Sequence, residues 1–507
     1  MPRVFCPTFP NRTLSITDCG GIGDGKTLNT NAFAKGMQLL SAKGGGTLNV
    51  PFGVWCTGPI EFQSNINLHL EKGAIILFTT DMDAYKLVKT SYEGQEAYRC
   101  QSPISGKNLK NIAISGYGTI NGSGQVWRPL KREKVSDNYW KSVINSGGVL
   151  KNSNYWFPTQ KAMNAEIMRE SNKDISFEGM SINQLEAIKD YLRPVMISFV
   201  ECKNILLQGV LFENSPSWNI HPLMCENLIV DGITIRNPEY AQNGDGIDVE
   251  SCKNVILVNT TVDAGDDCIC LKSGKDEEGR NRAKPTENVI VDNCKVFKGH
   301  GGFVVGSEMS GGIRNVSVSN CVFMGTDVGL RFKSGRGRGG IVENIYINQI
   351  SMFDIVTDSF LFDLYYGGKP ATKQLTGKSN NQELIPLVTE QTPIFRNIYV
   401  NNLVSRNARR AMFFNGLPEM NITNIHIENT TVTSQLGAEL VEADGVSFKC
   451  VNIAPKEGAA LILNNVKNFK AEHFIYPKTV INPVEIKGTK TKNIDIQDLT
   501  LKVAQKQ

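Results

Sequence analysis

Lys203-Asn204-Ile205-Leu206-Leu207, Glu226-Asn227-Leu228-Ile229-Val230, Lys253-Asn254-Val255-Ile256-Leu257 and Glu287-Asn288-Val289-Ile290-Val291 carry one pattern: a charged residue, an asparagine, then three apolar positions. The pattern recurs at Asn111, Asn315, Asn344, Asn397 and Asn424, and weaker copies begin at Asn65, Asp174, Asn468 and Asn493. From Asn204 to Asn344 the successive spacings are 23, 27, 34, 27 and 29 residues. A period in the twenties, built of short strands and Asn/Gly turns, predicts a parallel β-helix. Asparagine suits one turn of every coil, because it tolerates a left-handed backbone and its amide can bond the asparagine of the next coil. Leucine-rich repeats share the period, but the leucine consensus and a helix per repeat are missing.

The pattern predicts an all-β chain with one β-helix domain over residues 1–507. A capping element is expected at about 15–50: a helix begun by Thr30 or Asn31 and running to about Ser41, with Ala32, Phe33, Met37 and Leu40 on one face. Thr47–Val50 follows as the first strand. Such a helix covers the open end of a solenoid. Apolar residues at 41% and charged residues at 21% suit a large core. A net charge of +4 gives no argument for nucleic acid. No apolar run reaches the length of a membrane span. Met1-Pro2-Arg3-Val4-Phe5-Cys6 does not read as a signal peptide.

Two intervals exceed the period: Asn111 to Asp174 and Asn344 to Asn397. They predict loop insertions at about 122–172 and 364–393, which repeat proteins often place on the binding face. The first carries Trp127, Tyr139, Trp140, Tyr155, Trp156 and Phe157; most are expected to pack, with one or two free to stack on sugar rings. The second carries Tyr365, Tyr366 and a polar tract through Glu383. Cys202, Cys225 and Cys252 each lie two residues before a repeat asparagine, and Cys294 and Cys321 six after one. Stacked at ~4.8 Å, they lack disulfide geometry. They read as buried thiols.

Four clusters carry chemistry: Asn243-Gly244-Asp245, Gly265-Asp266-Asp267, Gly299-His300-Gly301 and Arg331-Phe332-Lys333. Adjacent carboxylates raise one another's pKa, a cost with little structural use. An acid kept protonated beside an ionised carboxylate is what glycosidic cleavage needs, although an Asp-Asp pair suits a metal equally. Asp245 precedes Asp266 by about one coil, so stacking brings it to the pair. Asp248 is expected to serve a turn. His300 and then the cations follow at about one coil each. Arg331 and Lys333 share a strand face while Phe332 enters the core. Two cations suit the carboxylate of an acidic sugar; Arg336 and Arg338 read as a solvated basic face.

These four motifs, in this order and spacing, resemble the polygalacturonases and related pectin hydrolases of glycoside hydrolase family 28. The resemblance covers about residues 15–500, departing at Gly244, where Thr is commoner, and at Phe332, where Ile is commoner. It implies a right-handed single-stranded parallel β-helix, hydrolysis with inversion, and neither metal nor cofactor. It makes Asp266 the general acid and Asp245 with Asp267 the holders of the attacking water. His300 tunes the acid, and Asn243, Arg331, Lys333 and a tyrosine, preferably Tyr366, bind substrate. An acid–base gap of ~6.5–9.5 Å is expected for inversion.

The implied partner is a galacturonic acid-containing poly- or oligosaccharide, with no nucleic acid or membrane, cleaved by a monomer in a secreted or periplasmic setting. His300, Arg331 and Lys333 favour galacturonan over a rhamnogalacturonan or xylogalacturonan backbone, and the insertion at 122–172 favours exo- over endo-cleavage. A pectate-type lyase or a non-catalytic carbohydrate-binding β-helix are the rivals from other classes. A lyase would need calcium, and a binding protein has no use for three carboxylates.

Overall fold

A computed structural model describes residues 4–171, 177–366 and 385–497. The fold is a right-handed parallel β-helix, divided into two compact units, residues 2–268 and 269–507.

In residues 2–268 each coil contributes to three parallel ladders. One runs through Gly46–Val50, Ile66–Leu70, Lys110–Gly116, Lys203–Gln208, Glu226–Asp231 and Lys253–Val258. The second stacks Gly53–Thr57, Ala74–Phe78, Thr119–Asn121, Leu211–Glu213, Thr234–Arg236 and Thr261–Ala264. The third stacks Ile60–Glu61, Ile104–Lys107, Ile197–Val200, Ile220–Leu223 and Ile247–Glu250. Alternate side chains point inward. Ile66, Ile112, Ile205, Leu228 and Val255 therefore form one buried aliphatic row, and Leu68, Ile114, Leu207, Val230 and Leu257 another. Each such side chain contributes about 1.5–3 kcal/mol on burial.

The capping helix spans Thr30–Ala42 and buries Ala32, Phe33, Met37 and Leu40. Its N-cap is Asn29, whose amide instead ties Ile22, Thr27 and Cys56 together. The first strand is Thr13–Ser15, which pairs with Gly46–Val50 and so precedes the strand expected to come first. A three-residue strand in front of a helix leaves no periodic signal.

Lys110 pairs directly with Lys203. No rung of this ladder lies between them, and Asp174, expected to begin one, falls outside the described residues. The intervening chain instead forms the antiparallel strands Leu130–Lys131, Val149–Asn152 and Tyr155–Phe157, with helices at Asp137–Asn145, Gln160–Ser171 and Ile182–Ala187. Trp127, Trp140, Trp156 and Phe157 are buried, whereas Tyr139 is exposed and Tyr155 half-buried. Arg128 ties the insertion to the coils, donating to Ser215 O (2.5 Å) and Asn214 Oδ1 (2.6 Å). A second excursion, the hairpin Leu87–Tyr92/Gln95–Cys100, leaves an ordinary coil.

In residues 269–497 the strands lengthen to Ile394–Asn415, Ile422–Val441 and Ala443–Asn464. Asparagines at positive φ, such as Asn402 and Asn429, bend these strands without ending them. The core is aromatic here. Phe332 stacks on Phe362 at 4.7 Å and also meets Phe360 and Phe395. That cluster accommodates a phenylalanine where isoleucine is commoner. The polar tract through Glu383 lies largely outside the described residues.

The repeat asparagines form amide ladders: Asn65–Asn111–Asn204–Asn227–Asn254 in one unit and Asn288–Asn315–Asn344–Asn397–Asn424 in the other. Every rung has φ between 54° and 62°. None of the twelve cysteines is in a disulfide, and Cys202, Cys225, Cys252, Cys294 and Cys321 are all buried. No helix among the described residues is long and apolar enough to cross a membrane.

Asn227 is bonded on both sides and holds φ at 58°. Asn227→Gly keeps the backbone and loses two amide bonds, so about 1–2 kcal/mol of stability is expected to go. Asn227→Ala adds left-handed strain of about 1–2 kcal/mol. Urea midpoints should therefore fall in the order wild type, glycine, alanine.

Candidate active site

Asp245 and Asp266 occupy equivalent turns of consecutive coils. One turn leads from Thr234–Arg236 to Ile247–Glu250, the other from Thr261–Ala264 into Asp267–Lys272. The buried Asn237 holds the first turn, donating to Gly244 O (3.1 Å) and Asp245 O (3.2 Å). Gly246 N bonds Asp267 O (2.9 Å) and Gly265 N bonds Gly244 O (3.1 Å), which locks one turn to the other. A Cβ at Gly265 would lie 2.5 Å from Pro238 O, and one at Gly244 2.6 Å from Ala241 Cβ. The usual threonine therefore does not fit at 244 in this turn.

Carboxylate oxygens of Asp245, Asp266 and Asp267 all lie within 4.8 Å of one another. Asp245 is 3% exposed and Asp267 1%, while Asp266 is half-buried, and the Asp266 carboxylate accepts from Asp267 N at 3.0 Å. The concentrated negative field reaches Cys268, whose thiol is pushed well up by burial and then by Asp267, Asp263, Asp245 and Asp266. Two of the acids are chain neighbours and the third sits one coil away, so strand spacing of ~4.8 Å sets the separation. Three acids within reach of one another also suit a divalent cation.

His300, Arg331, Lys333 and Tyr366 belong to the unit beginning at Ile269. His300 Nε2 lies 3.8 Å from Asp327 Oδ2. Arg331 Nη1 points to the carbonyl of His300 at 3.5 Å. Arg331 and Lys333 lie against the ring of Tyr366, at 5.8 and 4.9 Å from its centroid, while Phe332 is buried. Tyr366 is 42% exposed; Tyr365 is only 8% exposed and lies under Arg336.

Residues 178–386 match the sequence profile of Glycosyl hydrolases family 28. A "Probable polygalacturonase" from Vitis vinifera is 30% identical over 428 residues, covering 82% of this chain and 74% of that protein. The chain belongs to glycoside hydrolase family 28. The crystal structure of a hyperthermoactive exopolygalacturonase from Thermotoga maritima is similar, with 32% identity and a TM-score of 0.68, covering 86% of this chain and 92% of that one. An "Endo-polygalacturonase" from Pectobacterium carotovorum subsp. carotovorum is 24% identical over 67% of this chain and 71% of its own length. Exo- and endo-acting relatives both occur in this polygalacturonase family.

Several residues of this family 28 enzyme escaped the sequence reading. Asp248 is fully buried within Ile247–Glu250, not in a turn. Arg336 is exposed and Arg338 half-buried, and both are ion-paired: Arg336 bidentately with Glu419 (2.5 and 2.9 Å), Arg338 with Asp276. Asn237 carried a faint signal, an asparagine directly after a strand and before proline. Glu308 carried none, yet Lys272 Nζ is 2.8 Å from its carboxylate and Ser307 donates to it at 2.8 Å. Burial raises the Glu308 pKa, but the charges of Lys272 and Lys333 outweigh it and bring the group down to about 2. Lys333, 5% exposed, thus shares its charge with an internal acid.

That pairing makes a pH prediction. A carboxyl lowered from 4.5 to about 2 adds stability that is complete above pH 4.5 and fades as pH falls towards 2. The contribution is on the order of 3 kcal/mol. Glu308→Gln should be less stable than wild type at pH 7, with the two converging near pH 2 in urea titrations. A constant difference between pH 7 and 2 would contradict the assignment.

Proposed function

We propose that this chain hydrolyses α-1,4-galacturonosyl linkages in pectic poly- or oligosaccharides, acting from the non-reducing end. The observation that carries the reading is the convergence of Asp245, Asp266 and Asp267 within 4.8 Å, in a chain of family 28.

Asp266, the half-buried member of the cluster, protonates the glycosidic oxygen as its bond to the anomeric carbon breaks. Asp245 and Asp267 hold a water and take its proton as its oxygen attacks that carbon. His300, with Asp327 beside it, adjusts the acid's protonation. Arg331, with Lys333 behind it and Tyr366 alongside, receives the uronate carboxylate, and Asn243 contacts the sugar. These roles follow the family resemblance and the residues' own chemistry. Inversion follows the family too.

Exo-action is supported by the insertion and the hairpin of residues 87–100, which enclose a cavity reaching Asn243. A polymeric substrate further implies a secreted or periplasmic enzyme.

Incubation with polygalacturonate, followed by proton NMR, tests the reading. Monogalacturonate should appear first, as the β-anomer, while viscosity falls slowly. Rapid viscosity loss with oligomer products would instead mean endo-cleavage, and an initial α-anomer would mean retention. Asp266→Asn should lower kcat by roughly 10²–10⁴-fold with the circular dichroism unchanged. Activity should survive chelation; its loss in EDTA, together with products absorbing in the ultraviolet, would identify a lyase.

A further inference from the structure

A cavity of about 310 Å³ lies between the 87–100 hairpin and the insertion, wholly within residues 2–268. That volume is at the small end of the ~300–1,000 Å³ typical of ligand sites. Arg99 and Arg193 line it. Arg99 Nε donates to Arg193 O (2.9 Å). Arg193 Nη1 donates to Pro216 O (3.1 Å) and Gln242 O (2.9 Å), and its Nη2 to Asn243 Oδ1 (2.8 Å). Both guanidiniums are thereby fixed, yet neither makes an ion pair among the described residues. Of the acids that line the cavity, Glu96 pairs with Lys89, Glu166 is taken by Arg169 and the Tyr191 hydroxyl, Glu93 is exposed, and the buried Asp190 forms no ion pair with either guanidinium.

The guanidinium of Arg99 lies 3.7 Å from the ring centroid of Tyr92, which stacks on Trp218 at 4.9 Å. Trp218 in turn meets His221 edge-on, and His221 Nε2 is bonded to Glu250 at 2.8 Å. This row anchors the hairpin on the strands that follow the catalytic turns. Tyr92 also lines the cavity, and its hydroxyl is buried with no hydrogen-bond partner. Holding two like charges together and leaving a hydroxyl unmet is costly unless a ligand completes the set.

We infer that this cavity binds the free carboxylate of the uronate at the substrate's non-reducing end, gripped by Arg99 and Arg193 with the Tyr92 hydroxyl as a third contact. Arg193 supports Asn243, two residues before Asp245, so the group that reads the chain end also positions the catalytic turn. A methyl-esterified terminus, which has lost its charge, is a poor ligand for two guanidiniums. The inference rests on the exo-acting reading above and adds the residues that select the chain end.

The test compares trigalacturonate with the same trimer methyl-esterified at its non-reducing residue. Wild type should prefer the free acid by roughly 10–100-fold in kcat/KM. Arg99→Gln should lose that preference, mainly through KM on the free acid, and Tyr92→Phe should raise KM by roughly 2–10-fold with kcat kept. Melting curves check folding; if Arg99→Gln is unfolded, Tyr92→Phe carries the test. Unchanged KM in the folded variants, with the preference intact, overturns the inference while leaving exo-cleavage standing. Failure of wild type to release monogalacturonate overturns the exo-acting reading itself.

Discussion

Each coil of this protein must return to the same turn one strand spacing, ~4.8 Å, above the last. Asparagine at a left-handed φ makes that return possible, and its amide bonds the asparagine of the adjacent coil. Because the ladder keeps register, inward rows remain aliphatic or aromatic over many coils. The same register places outward residues on consecutive coils beside one another, whatever their separation in the chain. Asp245 meets Asp266 and Asp267 for this reason, at a distance that the backbone spacing sets.

The two sets of charges are treated differently by their surroundings. Among residues 2–268 the three carboxylates are crowded at a turn, and their field raises a neighbouring thiol. Beyond Ile269, Lys333 is buried against Glu308 and Lys272, whereas Arg331 stays half-buried near Tyr366 and the carbonyl of His300. Lys333 also lies 4.9 Å from the centroid of the Tyr366 ring.

The solenoid can carry large excursions because a coil closes beneath them. Lys110 finds Lys203 directly, and the chain between them folds into its own small sheet and helices. That closure lets the insertion vary without disturbing the rungs that hold the carboxylates. It also brings Arg193 to Asn243, a contact between the end of the insertion and the catalytic turn.

The sequence by itself determined the β-helix, its asparagine ladder and the candidate acids, because a repeating coil turns linear spacing into spatial register. The alternation Arg331-Phe332-Lys333 likewise announced which side chain enters the core. Three outcomes needed the tertiary structure. The long interval after Asn111 is closed by a direct pairing of Lys110 with Lys203. Asp248 proved buried in a strand, and Arg336, Arg338 and Lys333 acquired acidic neighbours from distant parts of the chain. The three carboxylates also converge, with one oxygen from each within 4.8 Å of the others. Periodicity predicts what stacks on what, but an excursion breaks the period, and ion pairing depends on which distant loops fold back. Those contacts exist only in three dimensions.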